Sequence, residues 1–225
     1  MRVVIFGASG MLGQGVLREC LRAPDVEQVV AIVRTASGAS AANLRECVHA
    51  DLLDYRALEP ALSGLDACYF CLGISSAGLD EAQYTRITYD IALAAGQTLA
   101  RLNPQMTFIF VSGQGTDATE KGKVMWARVK GRTENALRAL PFKAVYCFRP
   151  GFIQPLHGAR SRTRAYRVTY AILAPVMPLL RKLFPNQVLT TEVIGQAMLN
   201  VTRHGAPAPI LGARAINAAA GNLKT

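Results

Sequence analysis

Three glycines spaced three apart, in Val3-Val4-Ile5-Phe6-Gly7-Ala8-Ser9-Gly10-Met11-Leu12-Gly13, constrain this chain more than any other feature. Val3 to Phe6 is a short β-branched and aromatic run of the kind that forms a buried parallel strand, and apolar residues recur at helical spacing from Met11 to Ala23. The glycines therefore fall at a strand-to-helix turn. Backbone without side chains approaches a phosphate closely at such a turn, and the first helical N–H groups are unpaired. The helix dipole adds about 0.3 to 2 kcal/mol for an anion. The pattern predicts dinucleotide binding, with Gly7, Ser9, Gly10, Met11, Leu12 and Gly13 around the pyrophosphate. A glycine triplet by itself suits any tight turn, so the strand before it and the helix after it carry the assignment.

At 225 residues and 51% hydrophobic content the chain can bury one substantial core, which predicts a single domain spanning 1–225. The triplet starts at residue 7, so no upstream domain is expected. No apolar run reaches the roughly 20 residues that span a bilayer, and no secretory leader precedes the first strand. The expectation is a cytoplasmic protein that is not integral to a membrane. Cys20, Cys47, Cys68, Cys71 and Cys147 are odd in number and lack a disulfide-like spacing. Cys68 and Cys71 form a C-x-x-C, but they sit in a strand-like run where residues three apart point to opposite faces, so no metal site is expected.

Apolar runs alternate with helical patterns along the chain. Strands are expected at Arg2 to Phe6, Gln28 to Val33, Glu46 to His49, Ala67 to Leu72, Thr107 to Val111 and Ala144 to Phe148, and helices at Met11 to Ala23, Tyr55 to Leu62, Ala82 to Leu102 and Val124 to Leu140. This alternation predicts an α/β fold, a Rossmann-type doubly wound parallel sheet with helices on both faces. Beyond Gly151 the pattern loosens, and about 151–205 reads as a small C-terminal substrate lobe with helices from Val168 and from Thr191 to His204. The Ala-rich tail after Gly212 reads as surface or partly mobile.

The net charge of +10 is uneven, with no Asp or Glu between Glu134 and Glu192. The densest basic stretch runs from Arg160 to Arg167 and is expected to be a solvated loop before a core-packing helix. A protein partner or an anionic surface is a possible use of it. No helix-turn-helix, zinc-finger or aromatic-rich signature supports nucleic acid as a partner.

In a doubly wound sheet, ligands sit beyond the carboxyl ends of the strands. Arg34 ends the second strand, about 20 residues past the glycine turn, where an NAD-binding chain places a carboxylate for the ribose hydroxyls. A guanidinium there pairs with a 2′-phosphate instead, which favours NADP(H) over NAD(H). Asp51 and Leu52 follow the third strand and are assigned to the adenine side, while Asp54 reads as a cap for the next helix. Cys71, Leu72 and Gly73 end the fourth strand, where Gly73 lets backbone approach the cofactor. Ser112 ends the fifth, where a hydroxyl can hold a substrate carbonyl.

Gly7-x-x-Gly10-x-x-Gly13, Arg34, Asp51-Leu52, Cys71-Leu72-Gly73, Ser112 and Lys130 together resemble the atypical short-chain dehydrogenase/reductase superfamily, in particular its small NAD(P)H-binding, NmrA-like and epimerase-like members. The resemblance covers nearly the whole chain. It implies that Pro150, Gly151, Phe152 and Ile153 lie near the nicotinamide and that Ser112 and Lys130 belong to the active site, with Lys130 also on the nicotinamide ribose. The family's Tyr-x-x-x-Lys pattern departs here, because its tyrosine position is Trp126. An indole N–H does not ionise near neutral pH, so the usual proton donor, generally worth 10² to 10⁴-fold, is missing. The resemblance therefore implies an NADPH-dependent oxidoreductase whose acceptor, a flavin or quinone, needs no protein phenol. The alternative is a non-catalytic NADP(H)-sensing or interaction protein. A nucleotide-sugar epimerase or dehydratase is disfavoured by Trp126 and by the short C-terminal lobe.

Overall fold

Strand residues 3–6, which are apolar at every position, belong in the middle of a sheet covered on both faces, and that is where they lie. The computed structural model describes residues 1–159 and 188–221. Its elements run β1 (Arg2–Phe6), α1 (Met11–Arg22), β2 (Gln28–Val33), β3 (Leu44–Val48), a 3₁₀ turn (Arg56–Leu58) leading into α2 (Glu59–Leu62), and β4 (Ala67–Phe70). Then follow α3 (Glu81–Thr85), a π-helical turn (Arg86–Asp90), α4 (Ile91–Leu102), β5 (Thr107–Val111), α5 (Met125–Arg138), β6 (Ala144–Arg149) and β7 (Phe152–Gln154). The chain closes with β8 (Val188–Thr190), α6 (Thr191–His204), β9 (Ile210–Gly212) and α7 (Ala213–Ala219). The basic stretch Arg160 to Arg167 and the helix expected from Val168 lie outside the described residues.

Seven strands form one parallel sheet in the order β3-β2-β1-β4-β5-β6-β9, so the Rossmann-type α/β architecture read from the alternation is present. Strand order reverses between β1 and β4, and the crevice for a ligand opens at that point. Side chains alternate across the sheet. Val3, Ile5, Val29, Ala31 and Tyr69 pack under α1, α6 and α7, while Val4, Phe6, Val30, Phe70, Phe108 and Phe110 pack under α2 and α4. On the second face an aromatic row crosses the strands, Phe6 to Phe70 at 5.3 Å and Phe70 to Phe108 at 6.1 Å between ring centres. Cys68 faces this second layer and Cys71 packs on the first, so the C-x-x-C pair is split across the sheet. All five thiols are free, and no cluster suited to a metal ion occurs among the described residues.

Several expectations need correcting. Glu46 to His49 is Leu44–Val48 in the sheet, and β4 stops at Phe70 rather than Leu72. The single helix expected from Ala82 to Leu102 is interrupted by the π turn. Asp54 caps no helix with its side chain: its carboxylate accepts from the Arg56 N–H and guanidinium, and Tyr55 holds the N-cap position. Of the tail after Gly212, 213–219 form the helix α7, which keeps an exposed face and buries Ile216 and Asn217. A three-residue strand is too short to show periodicity, and alanine gives little contrast between helix faces.

Within the stretch read as a substrate-side lobe, β7 and β8 form a separate two-stranded parallel sheet, and α6 packs back on α1. Glycines allow that contact. A Cβ on Gly15 would lie 2.4 Å from the Thr191 Cβ, and one on Gly195 would lie 2.9 Å from the Glu19 Cγ. Gly15→Val is therefore expected to destabilise the protein by about 1–3 kcal/mol through overpacking. Gly113→Ala, whose added methyl meets nothing within 4 Å, should change stability by less than about 0.5 kcal/mol. Urea unfolding of the two variants side by side checks this.

Candidate nucleotide-binding site

The turn from β1 into α1 is built by contacts that only glycine permits. Gly7 has φ +80°, and a Cβ there would sit 2.7 Å from the backbone of Leu72 at the end of β4. Gly13 brings α1 down on the turn, since its Cβ would lie 2.1 Å from the Gly7 carbonyl oxygen. Gly10 donates its N–H to that same oxygen at 2.9 Å and occupies the N-cap of α1, with no side chain capping the helix and no acidic residue in its first turn. The N-terminal amides of α1 thus keep their capacity for an anion.

A cavity of about 260 Å³ opens above this turn. Among the residues picked from the sequence, Gly7, Ser9, Gly10, Arg34, Leu52, Cys71, Leu72 and Gly73 line it. Met11, Leu12 and Gly13 form the first turn of the helix beneath it, and Leu12 is buried in the core. Asp51 is exposed and is not among the lining residues, its carboxylate accepting from the Leu53 N–H at 3.0 Å. Arg34 is exposed at the end of β2 and forms no ion pair among the described residues.

Sequence reasoning missed Ile32, Val33, Ile74, Ile87 and Ile91. Ile87 and Ile91 come from the π turn and the start of α4, which swing an apolar wall over the crevice. Their spacing of four is visible in the sequence, but it reads there as ordinary core packing. The Cys71 thiol is pushed up to about 12 by burial, so it lines the crevice as a neutral apolar group.

Further along the same strand ends lies a more open cleft of about 460 Å³. Ser112, Pro150, Gly151 and Ile153 line it together with Val111, Gly113 and Gln114, while Phe152 stands beside it on β7. The ends of β5 and β6 are zipped by Ser112 N–H to the Phe148 carbonyl and Gln114 N–H to the Pro150 carbonyl, both 2.9 Å. Trp126, half-buried at the start of α5, reaches across this loop, its Cη2 3.4 Å from where a Gly115 Cβ would be.

Ser112 does not present its hydroxyl outward. The Oγ donates to Glu134 Oε1 at 2.5 Å, and Glu134 is fully buried and paired with Arg149 through Nε at 3.0 Å and Nη2 at 2.5 Å. Lys130, one turn before Glu134 on α5, donates from Nζ to the Ser112 carbonyl at 2.9 Å. Burial lowers the Lys130 ammonium to about 8, against the opposing pull of Glu134. The tyrosines of the described residues are engaged elsewhere. Tyr55, Tyr69 and Tyr84 are buried in the core, Tyr69 and Tyr146 bond Thr202 and Ala206, Tyr89 lies under Arg132, and Tyr166 and Tyr170 are outside the described residues.

A family profile described as NAD(P)H-binding matches residues 7–177, from the first glycine of the turn to beyond the second cleft. The chain belongs to this NAD(P)H-binding family. The resemblance to the atypical short-chain dehydrogenase/reductases therefore stands. Among curated relatives, the protein named fmp52, mitochondrial, of Emericella nidulans is 26% identical over 206 residues, covering 88% of this chain and 85% of the relative. Its namesake from Eremothecium gossypii is 28% identical over 155 residues, covering 68% and 66%. Of solved structures, a UDP-N-acetylglucosamine 4-epimerase from Methanobrevibacter ruminantium in complex with UDP-N-acetylmuramic acid superposes with a TM-score of 0.68 at 15% identity, over 94% of this chain and 75% of the epimerase. Bordetella bronchiseptica WbmF in complex with NAD⁺ gives 0.67 at 13% identity, over 98% and 76%. At such identities the likeness is one of fold.

The relatives overturn one expectation. All four curated matches are named as mitochondrial proteins, so the cytoplasmic assignment is withdrawn. It rested on the lack of an apolar leader, which bears on secretion and not on entry into an organelle, where the address is amphipathic. Among the described residues no helix is long and apolar enough to cross a membrane.

The walls of the first crevice fit a nicotinamide dinucleotide. A side chain at Gly7 would close the turn, a Cβ at Gly73 meets only open space, and the amide end of α1 is uncapped. Gly7→Ala is expected to lower nucleotide affinity at least about tenfold, because the residue would have to leave φ +80° and push Leu72 aside. Calorimetric titration of the folded variant with NADPH measures this.

Proposed function

We propose that this protein binds NADP(H) and serves an oxidoreductase reaction in which the acceptor, a flavin or a quinone, receives no proton from a protein phenol. The observation that carries the reading is the contrast between the two halves of the site. The first crevice has the glycine turn and an uncapped helix end, whereas at the second cleft the residue that the resemblance puts at the tyrosine position is Trp126 and the Ser112 hydroxyl is turned into the core. When bound, the nicotinamide supplies a hydride, and an electron-poor ring can accept one and then take its proton from water. For such a reaction the chain has to hold and orient two flat molecules and to keep competing carbonyl chemistry slow.

The residues divide that work. Amides at the start of α1 face the pyrophosphate, and Gly7 and Gly73 let the backbone come close. Arg34 pairs with the 2′-phosphate of NADP(H), the reason for preferring it over NAD(H). Leu52, Ile87 and Ile91 enclose the adenine end with apolar surface. Pro150, Gly151 and Ile153 flank the nicotinamide side with Phe152 beside them on β7, and Lys130 stands behind that wall with its Nζ on the Ser112 carbonyl.

The inward Ser112 hydroxyl also favours a second reading, a protein that senses NADP(H) without turnover. Titration with NADPH, following nicotinamide fluorescence for binding and absorbance for oxidation against flavin, quinone and aldehyde panels, separates the two. Oxidation with flavins or quinones supports the first reading; tight binding with no oxidation supports the second; no binding sinks both. Arg34→Asp should lose about 10- to 100-fold of the preference for NADP(H) over NAD(H), the worth of one charged hydrogen-bonded contact. An unchanged ratio would show that Arg34 does not read the 2′-phosphate. Trp126→Tyr should create or raise carbonyl reduction, measured with the aldehyde panel.

A further inference from the structure

The buried acid at the reaction end has no part in binding or chemistry as described so far. Glu134 lies on α5 one turn after Lys130, and its side chain is wholly buried. A carboxylate taken out of water is costly unless it is paired and hydrogen-bonded, and removing its partner leaves a charge stranded. Here its two oxygens gather three donors from two different strand ends. Oε1 accepts from Ser112 at the end of β5 and from Arg149 Nε at the end of β6, and Oε2 accepts from Arg149 Nη2. Ser112 is thereby gripped from both sides, by Glu134 on its hydroxyl and by Lys130 Nζ on its carbonyl.

We propose that Glu134 is a positioning residue of the reaction end: one buried carboxylate that ties the closing turns of β5 and β6 together, withdraws the Ser112 hydroxyl from the cleft and holds Lys130 as its charged neighbour. The inference rests on the reading of the second cleft as the reaction end, and it assigns to the fold the inward turn of the Ser112 hydroxyl. The electrostatic part follows from the surroundings of Lys130. Its Nζ lies 5.7 Å from the Phe110 ring centre and against backbone carbonyls, in a site whose burial disfavours the ammonium. Glu134 on its own helix is the charge that counters this. On the facing β6 the guanidinium of Arg149 is paired with Glu134, and the Cys147 thiol stays neutral because burial pushes it up to about 12. Asp117 in the loop after β5 acts on Arg149, and Arg128 and Arg132 of α5 are turned toward Glu81 and Tyr89.

The sign of the effect follows directly. Removing the Glu134 charge takes away what favours the Lys130 ammonium, so Lys130 must lose its proton at lower pH. The test follows the Lys130 side chain by NMR of the free protein with ¹³C-labelled lysine, its signal assigned by loss in Lys130→Arg. Wild type should titrate near pH 8. In Glu134→Gln, which keeps an acceptor for Ser112 but not the charge, the midpoint should fall by at least about one unit, a tenfold loss of proton affinity. Glu134→Asp should restore most of it, and Ser112→Ala should leave it in place. If Glu134→Gln does not fold, the paired apolar replacement Glu134→Leu with Arg149→Met removes both charges together and should give a smaller shift in the same downward direction, because the opposing Arg149 cation is lost with the carboxylate.

An unmoved midpoint in a folded Glu134 variant, or an equal shift in Ser112→Ala, overturns the proposal. NADPH titration of the same samples keeps the two ideas apart. Loss of all binding in wild type would remove the proposed cofactor while the lysine titration still judges Glu134. In the binding arm, Glu134→Gln is expected to weaken NADPH at pH 8 several-fold relative to pH 6, whereas wild type changes less between the two.

Discussion

The seating of Gly7 against the end of β4 is the contact on which the molecule's purpose depends. With its Cβ position 2.7 Å from Leu72 backbone, this residue lets β1 and β4 lie side by side while the chain turns left-handed out of the sheet. Gly13 then brings α1 within van der Waals reach of the Gly7 carbonyl. The result is a crevice at the reversal of strand order, floored by backbone and by a helix end. A larger residue at either position separates layers that the apolar strands hold together over their whole length.

At the far end of the same row of strand ends, a different force is in charge. At Ser112 and Arg149 a buried carboxylate adds to the backbone hydrogen bonds that join the two strand ends. Such a cluster is a costly way to join two strands, since desolvation of the ions offsets most of their attraction. It fixes direction in return, because both acceptors within reach of the Ser112 hydroxyl, Glu134 and the Phe148 carbonyl, lie on the inward side. The furnished phosphate end and the closed-off hydroxyl end together shape the functional proposal.

Much of the framework was legible beforehand. Strands β1, β2 and β5 and helix α1 were placed within a residue, because each is an uninterrupted apolar run or a periodic pattern bounded by glycine, proline or a charged residue. The crevice residues Gly7, Gly10, Arg34, Leu72 and Gly73 followed from the rule that ligands lie at the carboxyl ends of parallel strands. The short strands β7, β8 and β9 gave no such signal, since three residues cannot establish an alternation. Ile87 and Ile91 were hidden for another reason: nothing in a helical pattern tells which apolar residue faces the sheet and which faces a crevice, and a π turn rotates that boundary.

By itself the sequence determined the class of fold and the glycine turn between β1 and α1, because these depend on residue type and near neighbours along the chain. The direction of the Ser112 hydroxyl was decided only in three dimensions. Glu134 lies 22 residues and Arg149 lies 37 residues from Ser112 along the chain, and their meeting needs β5, α5 and β6 to be packed first. A hydrogen bond's geometry is set by where the folded backbone puts its partners, and no local pattern in the chain encodes that.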